Sequence, residues 1–77
     1  MNANFEVITY GGYRGDETPR AFVRDGNRVE VVKILDQWTE EDVATREHRR
    51  CFVVKGSDSR THTLCYVEER EEWVDTQ

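Results

Sequence analysis

The stretch RCFVVKGSDSRTHTLCYVE, residues 50–68, decides the fold. Two runs rich in β-branched and aromatic side chains flank Gly56-Ser57-Asp58-Ser59-Arg60, a cluster of turn formers. A loop of those five residues sets the hairpin register, because side-chain faces alternate along a strand. Lys55 then stands opposite Thr61, Phe52 opposite Leu64 and Cys51 opposite Cys65. Phe52, Val54, Leu64 and Tyr66 form the core face, and His62 points to the face opposite the cysteines.

Moving outward from this hairpin, the same pattern recurs. The chain has ten Val and two Leu, a ratio that favours pleated, half-buried strands over helices. Residues 5–10, FEVITY, alternate Phe5, Val7 and Thr9 against Glu6, Ile8 and Tyr10. Residues 21–24 lead through Asp25-Gly26-Asn27 into RVEVVKIL, 28–35. Asp-Gly and Gly-Asn both suit a hairpin turn, which leaves the register open by one residue. Within that strand the apolar phase switches from Val29 and Val31 to Val32 and Ile34. Either both faces are partly buried or a bulge sits near Val31-Val32. Trp38 is expected to close the strand, and Trp73 sits on a short final strand over 72–76. The expected architecture is an all-β antiparallel meander of five to six strands, barrel-like or a two-layer sheet, forming one domain over residues 1–77.

Two segments fall outside this pattern. GGYRGDETPR, 11–20, holds three of the five Gly and the only Pro, and reads as a flexible loop ended by Pro19. Residues 39–49 read as an acidic loop or a single helical turn. Thr39-Glu40-Glu41-Asp42 resembles a capping box, but only Val43 and Ala44 are apolar through His48, so no helical face could bury.

Composition narrows the function. With 77 residues the core is small, and dinucleotide-binding and β/α-barrel enzymes are excluded by length. No apolar run reaches the roughly 18 residues of a membrane span. MNANFEVITY lacks a basic region followed by an apolar run, so the expected location is cytoplasmic. The net charge of −5 arises wholly beyond residue 35 and disfavours free nucleic acid as a partner.

No catalytic residue or cofactor is expected, and no metal. Cys51 and Cys65 read best as small half-buried hydrophobes in a reducing cytosol, with a redox pair and half of a metal site as alternatives. His48 and His62 read as surface residues. The acidic runs read as solvated faces, since general acid–base work needs one carboxylate desolvated. The candidate binding residues are Tyr10, Tyr13 and Arg14 in the Gly-rich loop, with Arg24, Trp38 and Trp73. An exposed Trp marks an interface, whereas a buried one is a core plug.

The succession ETPRAF, DGNRVEVVKILDQW, RCFVVKG, THTLCY and EEWVDT resembles small bacterial β-domains of unknown function. These run Pro-x-x-Phe, a turn Gly, a Val-rich strand ending in Asp-x-Trp, and a Leu-x-Tyr strand. The resemblance rests on Pro19, Phe22, Gly26, Val31, Trp38, Phe52, Leu64, Tyr66 and Trp73. It implies a DNA-repair context and supplies no catalytic residue. The acidic spacer and the two cysteines have no place in it. The expected function is a non-catalytic protein-interaction module, with another protein or a second copy of the chain as partner, a thin core favouring a homodimer. The alternative is a nucleic-acid-associated domain using Arg14, Arg20, Arg24 and Arg28 together with aromatic residues.

Overall fold

A computed structural model describes residues 5–9 and 18–75. Its strands are β1 (Phe5–Thr9), β2 (Pro19–Arg24), β3 (Asn27–Glu41), β4 (His48–Gly56), β5 (Thr61–Val67) and β6 (Glu72–Asp75). All neighbours are antiparallel and their spatial order is the chain order. The six strands curl into one nearly closed barrel-shaped sheet with no helix among the described residues, as the strand pattern predicts.

The β4–β5 hairpin has the expected register, with Lys55 opposite Thr61, Phe52 opposite Leu64 and Cys51 opposite Cys65. The β2–β3 ambiguity resolves in favour of Asp25-Gly26. Arg24 faces Asn27, and both turn residues have positive φ, 52° and 83°, as a type I′ hairpin turn requires. Gly26 supplies the second of these at no steric cost.

The phase switch in β3 is a pair of bulges. Residues 27–30 pair with β2 and residues 31–41 with β4, with register shifts between Val31 and Lys33 and between Ile34 and Asp36. The extra residues bend the strand and increase its twist, which lets one strand serve both halves of the barrel. Val32, left out of the ladder at the first shift, is exposed.

Three boundaries differ from the sequence reading. β3 does not end at Trp38 but runs to Glu41, and the acidic loop shrinks to residues 42–47. Pairing explains this. Thr39, Glu40 and Glu41 stand opposite Arg50, Arg49 and His48, and Arg49 Nη2 reaches Glu40 at 3.1 Å. Opposite charges across the ladder make a strand of what reads locally as a turn. Asp42, rather than Thr39, caps the single turn that follows. Its carboxylate accepts from the Ala44 and Thr45 amides, and its carbonyl accepts from Arg46 at 2.6 Å. The third change is at Pro19, which begins β2 instead of ending a loop, at an edge of the β1 ladder where the register shifts.

Phe22, Val29, Phe52, Val54 and Leu64 form the core, with Phe5, Val7, Val31, Ile34 and Trp73 packed against it. His62 belongs there too. It is 5% exposed and meets the Phe22 ring edge-on at 4.8 Å, which corrects its assignment to the surface. Gly56 makes room here: a Cβ there would lie 3.3 Å from His62 Cδ2 and 2.6 Å from both Val29 Cγ1 and Asp58 Oδ1. The cysteines are also corrected. They are fully buried rather than half-buried, and they form a disulfide across β4 and β5.

Candidate binding cleft at the barrel seam

The barrel is held open along one line. β1 and β6 are the two ends of the strand order, and no ladder joins them among the described residues. Between them lies a cleft of about 550 Å³. Phe5 and Val7 on β1 and Trp73 on β6 pack against the core, so they make an apolar floor. Trp73 is fixed there by Tyr66 and Phe52, with ring centroids 5.2 and 5.8 Å away. Glu6, Glu71, Glu72 and Asp75 line the cleft with carboxylates, and no lysine or arginine lines it among the described residues.

The ladder defines which way the β6 backbone points. Cys51 and Cys65 are directly opposite, with Cα atoms 4.0 Å apart, so they form the close pair whose amides face away from each other. Cys65 therefore points its N–H and C=O towards its β6 partner, Val74. By alternation, Trp73 and Asp75 turn their backbone groups away from β5 and into the seam.

One end of the seam is stapled. Arg24, on β2, reaches past β1 to grip Asp75 of β6 with two hydrogen bonds, Nε to Oδ2 at 2.7 Å and Nη2 to Oδ1 at 3.0 Å. Its guanidinium lies 5.2 Å from the Phe22 ring centre and 5.9 Å from that of Phe5. Arg24 Nη1 also donates to His62 Nδ1 at 3.3 Å. A guanidinium has no acceptor, so this ring nitrogen accepts, and Nε2–H donates to the Asp58 carboxylate at 3.0 Å. Partial desolvation pushes the Asp58 pKa up, but the Arg60 amide and His62 outweigh it and hold the carboxyl below its ordinary value. The chain Asp58–His62–Arg24–Asp75 thus ties the β4–β5 loop to both sides of the seam.

Of the six binding residues read from sequence, the structure brings Arg24 and Trp73 to the cleft. Arg24 arrives as a staple occupied by Asp75, and Trp73 as part of the floor. Trp38 lies on the opposite face of the sheet, in a row with Cys51, Cys65 and Val74. It is 39% exposed and its indole N–H donates to Glu40 at 2.8 Å. Tyr10, Tyr13 and Arg14 lie outside the described residues. Sequence reasoning missed Phe5, Val7 and the four carboxylates as parts of one site. Their only signal was that the first and last strands of a meander meet when the sheet closes.

Cys51 and His62 stand on opposite faces of the hairpin, and the cysteine is bridged, so no thiol–imidazole pair forms. Among the described residues no group of three His, Cys, Asp or Glu is placed to hold a metal ion. No helix among them is long and apolar enough to cross a membrane.

Fold and cleft together define a small all-β barrel with an acidic, apolar-floored seam between β1 and β6, which no ladder joins among the described residues. No family model, curated protein or solved structure matches the chain.

Proposed function

We propose that this protein is a non-catalytic interaction module that takes an extended segment of another protein into the seam between β1 and β6. The observation that carries the reading is a cleft with an apolar floor between β1 and β6, two strands that no ladder joins among the described residues. Free edges are templates for strand addition: backbone hydrogen bonds supply affinity, and alternate side chains entering pockets supply specificity. The two edges run antiparallel to each other, since six strands alternate in direction. Parts of the two edges lie within 8 Å of each other, less than the two strand spacings that a guest paired to both would need, so a guest adds to one edge.

The nucleic-acid alternative finds less support. Arg24 is committed to Asp75 and Arg28 to Glu30 at 2.6 Å, so neither offers an open basic contact.

A photo-reactive amino acid placed at Val74 in the seam, and separately at Val43 on the far turn, tests the proposal in the native cell. The expected result is a protein adduct from position 74, mapped to one short segment of the partner, and none from position 43. Adducts equally frequent at both positions, or nucleic-acid adducts, would overturn it. Location belongs to the same proposal. The expected cytoplasmic residence meets a counter-sign in the buried Cys51–Cys65 bridge, because structural disulfides persist in oxidising compartments. Rapid alkylation of cell lysates decides: two modified thiols fit the cytoplasm, and a bridged chain does not.

A further inference from the structure

We infer that acid unfastens the seam: protonation of His62 releases Arg24 from Asp75 and frees one end of β6. As regulation of the seam this rests on the proposed function, but the device itself needs no guest.

Both ring nitrogens of buried His62 are in use. The neutral ring accepts from Arg24 Nη1 at 3.3 Å and donates to Asp58 Oδ2 at 3.0 Å. Histidine is the side chain whose ordinary charge change falls between about pH 5 and 8. A second proton takes the lone pair of Nδ1, which then meets Arg24 as a donor facing a donor and a cation facing a cation.

Among the described residues, the charged groups facing the ring are Arg24 from β2 and Asp58 from the β4–β5 loop, with Asp75 of β6 behind Arg24. β4 brings only Val54 and Gly56, and Phe22 of β2 meets the ring edge-on. From the Asp58 side the proton is supported. Despite partial desolvation, the Arg60 amide and His62 hold this carboxyl below its ordinary value, so it stays an anion and pairs with the imidazolium.

The strain falls on Arg24. Its Nε, Nη1 and Nη2 lie in one rigid plane. Nη1 therefore cannot swing away from the imidazolium without turning Nε and Nη2 off the Asp75 carboxylate, which they hold at 2.7 and 3.0 Å. Arg24 and Asp75 are each about a quarter exposed, so water receives both charges once they part.

Nuclear magnetic resonance on the isotope-labelled full chain tests this with no guest present. His62 should pass from the Nε2–H tautomer at about pH 7.5 to the imidazolium at about pH 5.5. Over the same step, after correction for the intrinsic pH dependence of exchange, the Arg24 Nε–H and the Val74 amide should lose about fivefold in protection, while the Phe52 amide of β4 holds. His62→Gln, which takes up no proton, should abolish the step, and the Arg24 step should persist in His48→Ala. A His62 that titrates while Arg24 stays protected overturns the inference. So does a His62 that stays neutral until acid unfolds the chain, and so does a step that survives His62→Gln. The wild-type titration decides the first two even where the variant does not fold. Cross-linking at Val74 is read separately, so loss of the acid step leaves the seam reading standing, and absence of a guest leaves the step intact.

Discussion

The β4–β5 hairpin and the β1–β6 seam are built from the same residue types and reach opposite outcomes. In the hairpin, both faces are closed. Phe52, Val54 and Leu64 are buried on one side, and Cys51, Cys65 and Val67 on the other. At the seam, Phe5, Val7 and Trp73 are only partly buried, and the backbone of Trp73 and Asp75 faces a gap. A central strand satisfies its polar groups on both sides, whereas an edge strand leaves one side to be managed. Here the edge is managed with carboxylates and one arginine staple.

The contrast breaks most readily at the centre. Leu64→Ala should destabilise the chain by about 2–5 kcal/mol, the range for truncating a fully buried leucine. Urea denaturation measures it. A loss no larger than that of Val7→Ala at the seam would erase the distinction between the two regions.

Next in size is the disulfide. Cys51→Ala with Cys65→Ala should cost about 2–3 kcal/mol, because the closed loop is short and the hairpin already holds its ends together. Seam amides should shift little in the variant, since the bridge lies on the face opposite the Trp73 ring. Large shifts in β6 would mean that the bridge props the seam open.

Arg24→Gln should cost less, about 1 kcal/mol, since the ion pair is bidentate but a quarter exposed on each side. Hydrogen exchange is the sharper readout. Amides of β6 should exchange faster in the variant while those of β4 and β5 hold. Uniform acceleration would show that the staple supports the whole barrel rather than its margin.

The same division governs what was legible beforehand. The hairpin register could be read because the loop residues, the flanking Lys55 and Thr61, and the alternation all lie within one short stretch. The bulges in β3 announced themselves as a phase switch. His62 misled because nothing near it in sequence reveals Phe22 set edge-on against its ring or Gly56 yielding space. The strand state of Glu40 and Glu41 was hidden for the same reason, since Arg49 and His48 stand opposite them only once β4 is paired. The seam was least legible of all. Its staple joins residues 51 positions apart, and the meeting of β1 with β6 depends on accumulated twist and bulge geometry, which no local pattern encodes. Trp38 and Trp73 looked equivalent in sequence, yet strand parity sends one to each face of the sheet.

The smallest expected effect sits where the two regions join. His48 opens β4, and Glu69 lies in the loop that delivers the chain to β6. The Glu69 carboxylate accepts from the His48 amide at 2.8 Å and pairs with His48 Nδ1 at 2.6 Å. The hydrogen bond to Glu69, and then its charge, raise the His48 pKa above 6.5. The same hydrogen bond from His48, helped by the His48 amide, lowers that of Glu69 below 4.5. The signs set a window. The histidine's contribution is fully present below its unfolded pKa and is lost as pH rises through its raised folded value. The carboxylate's is present above its unfolded pKa and is lost as pH falls through its lowered folded value. The pair therefore supports folding most between about pH 4.5 and 6.5. Both groups are exposed, so the effect is small, and it should appear as a difference between wild type and His48→Ala. Urea midpoints should separate at pH 5.5 and converge at pH 8.5, with β6 amides exchanging faster in the variant only at the lower pH. A constant separation across that range would mean that His48 acts through packing, and that the anchoring of β6 does not depend on charge.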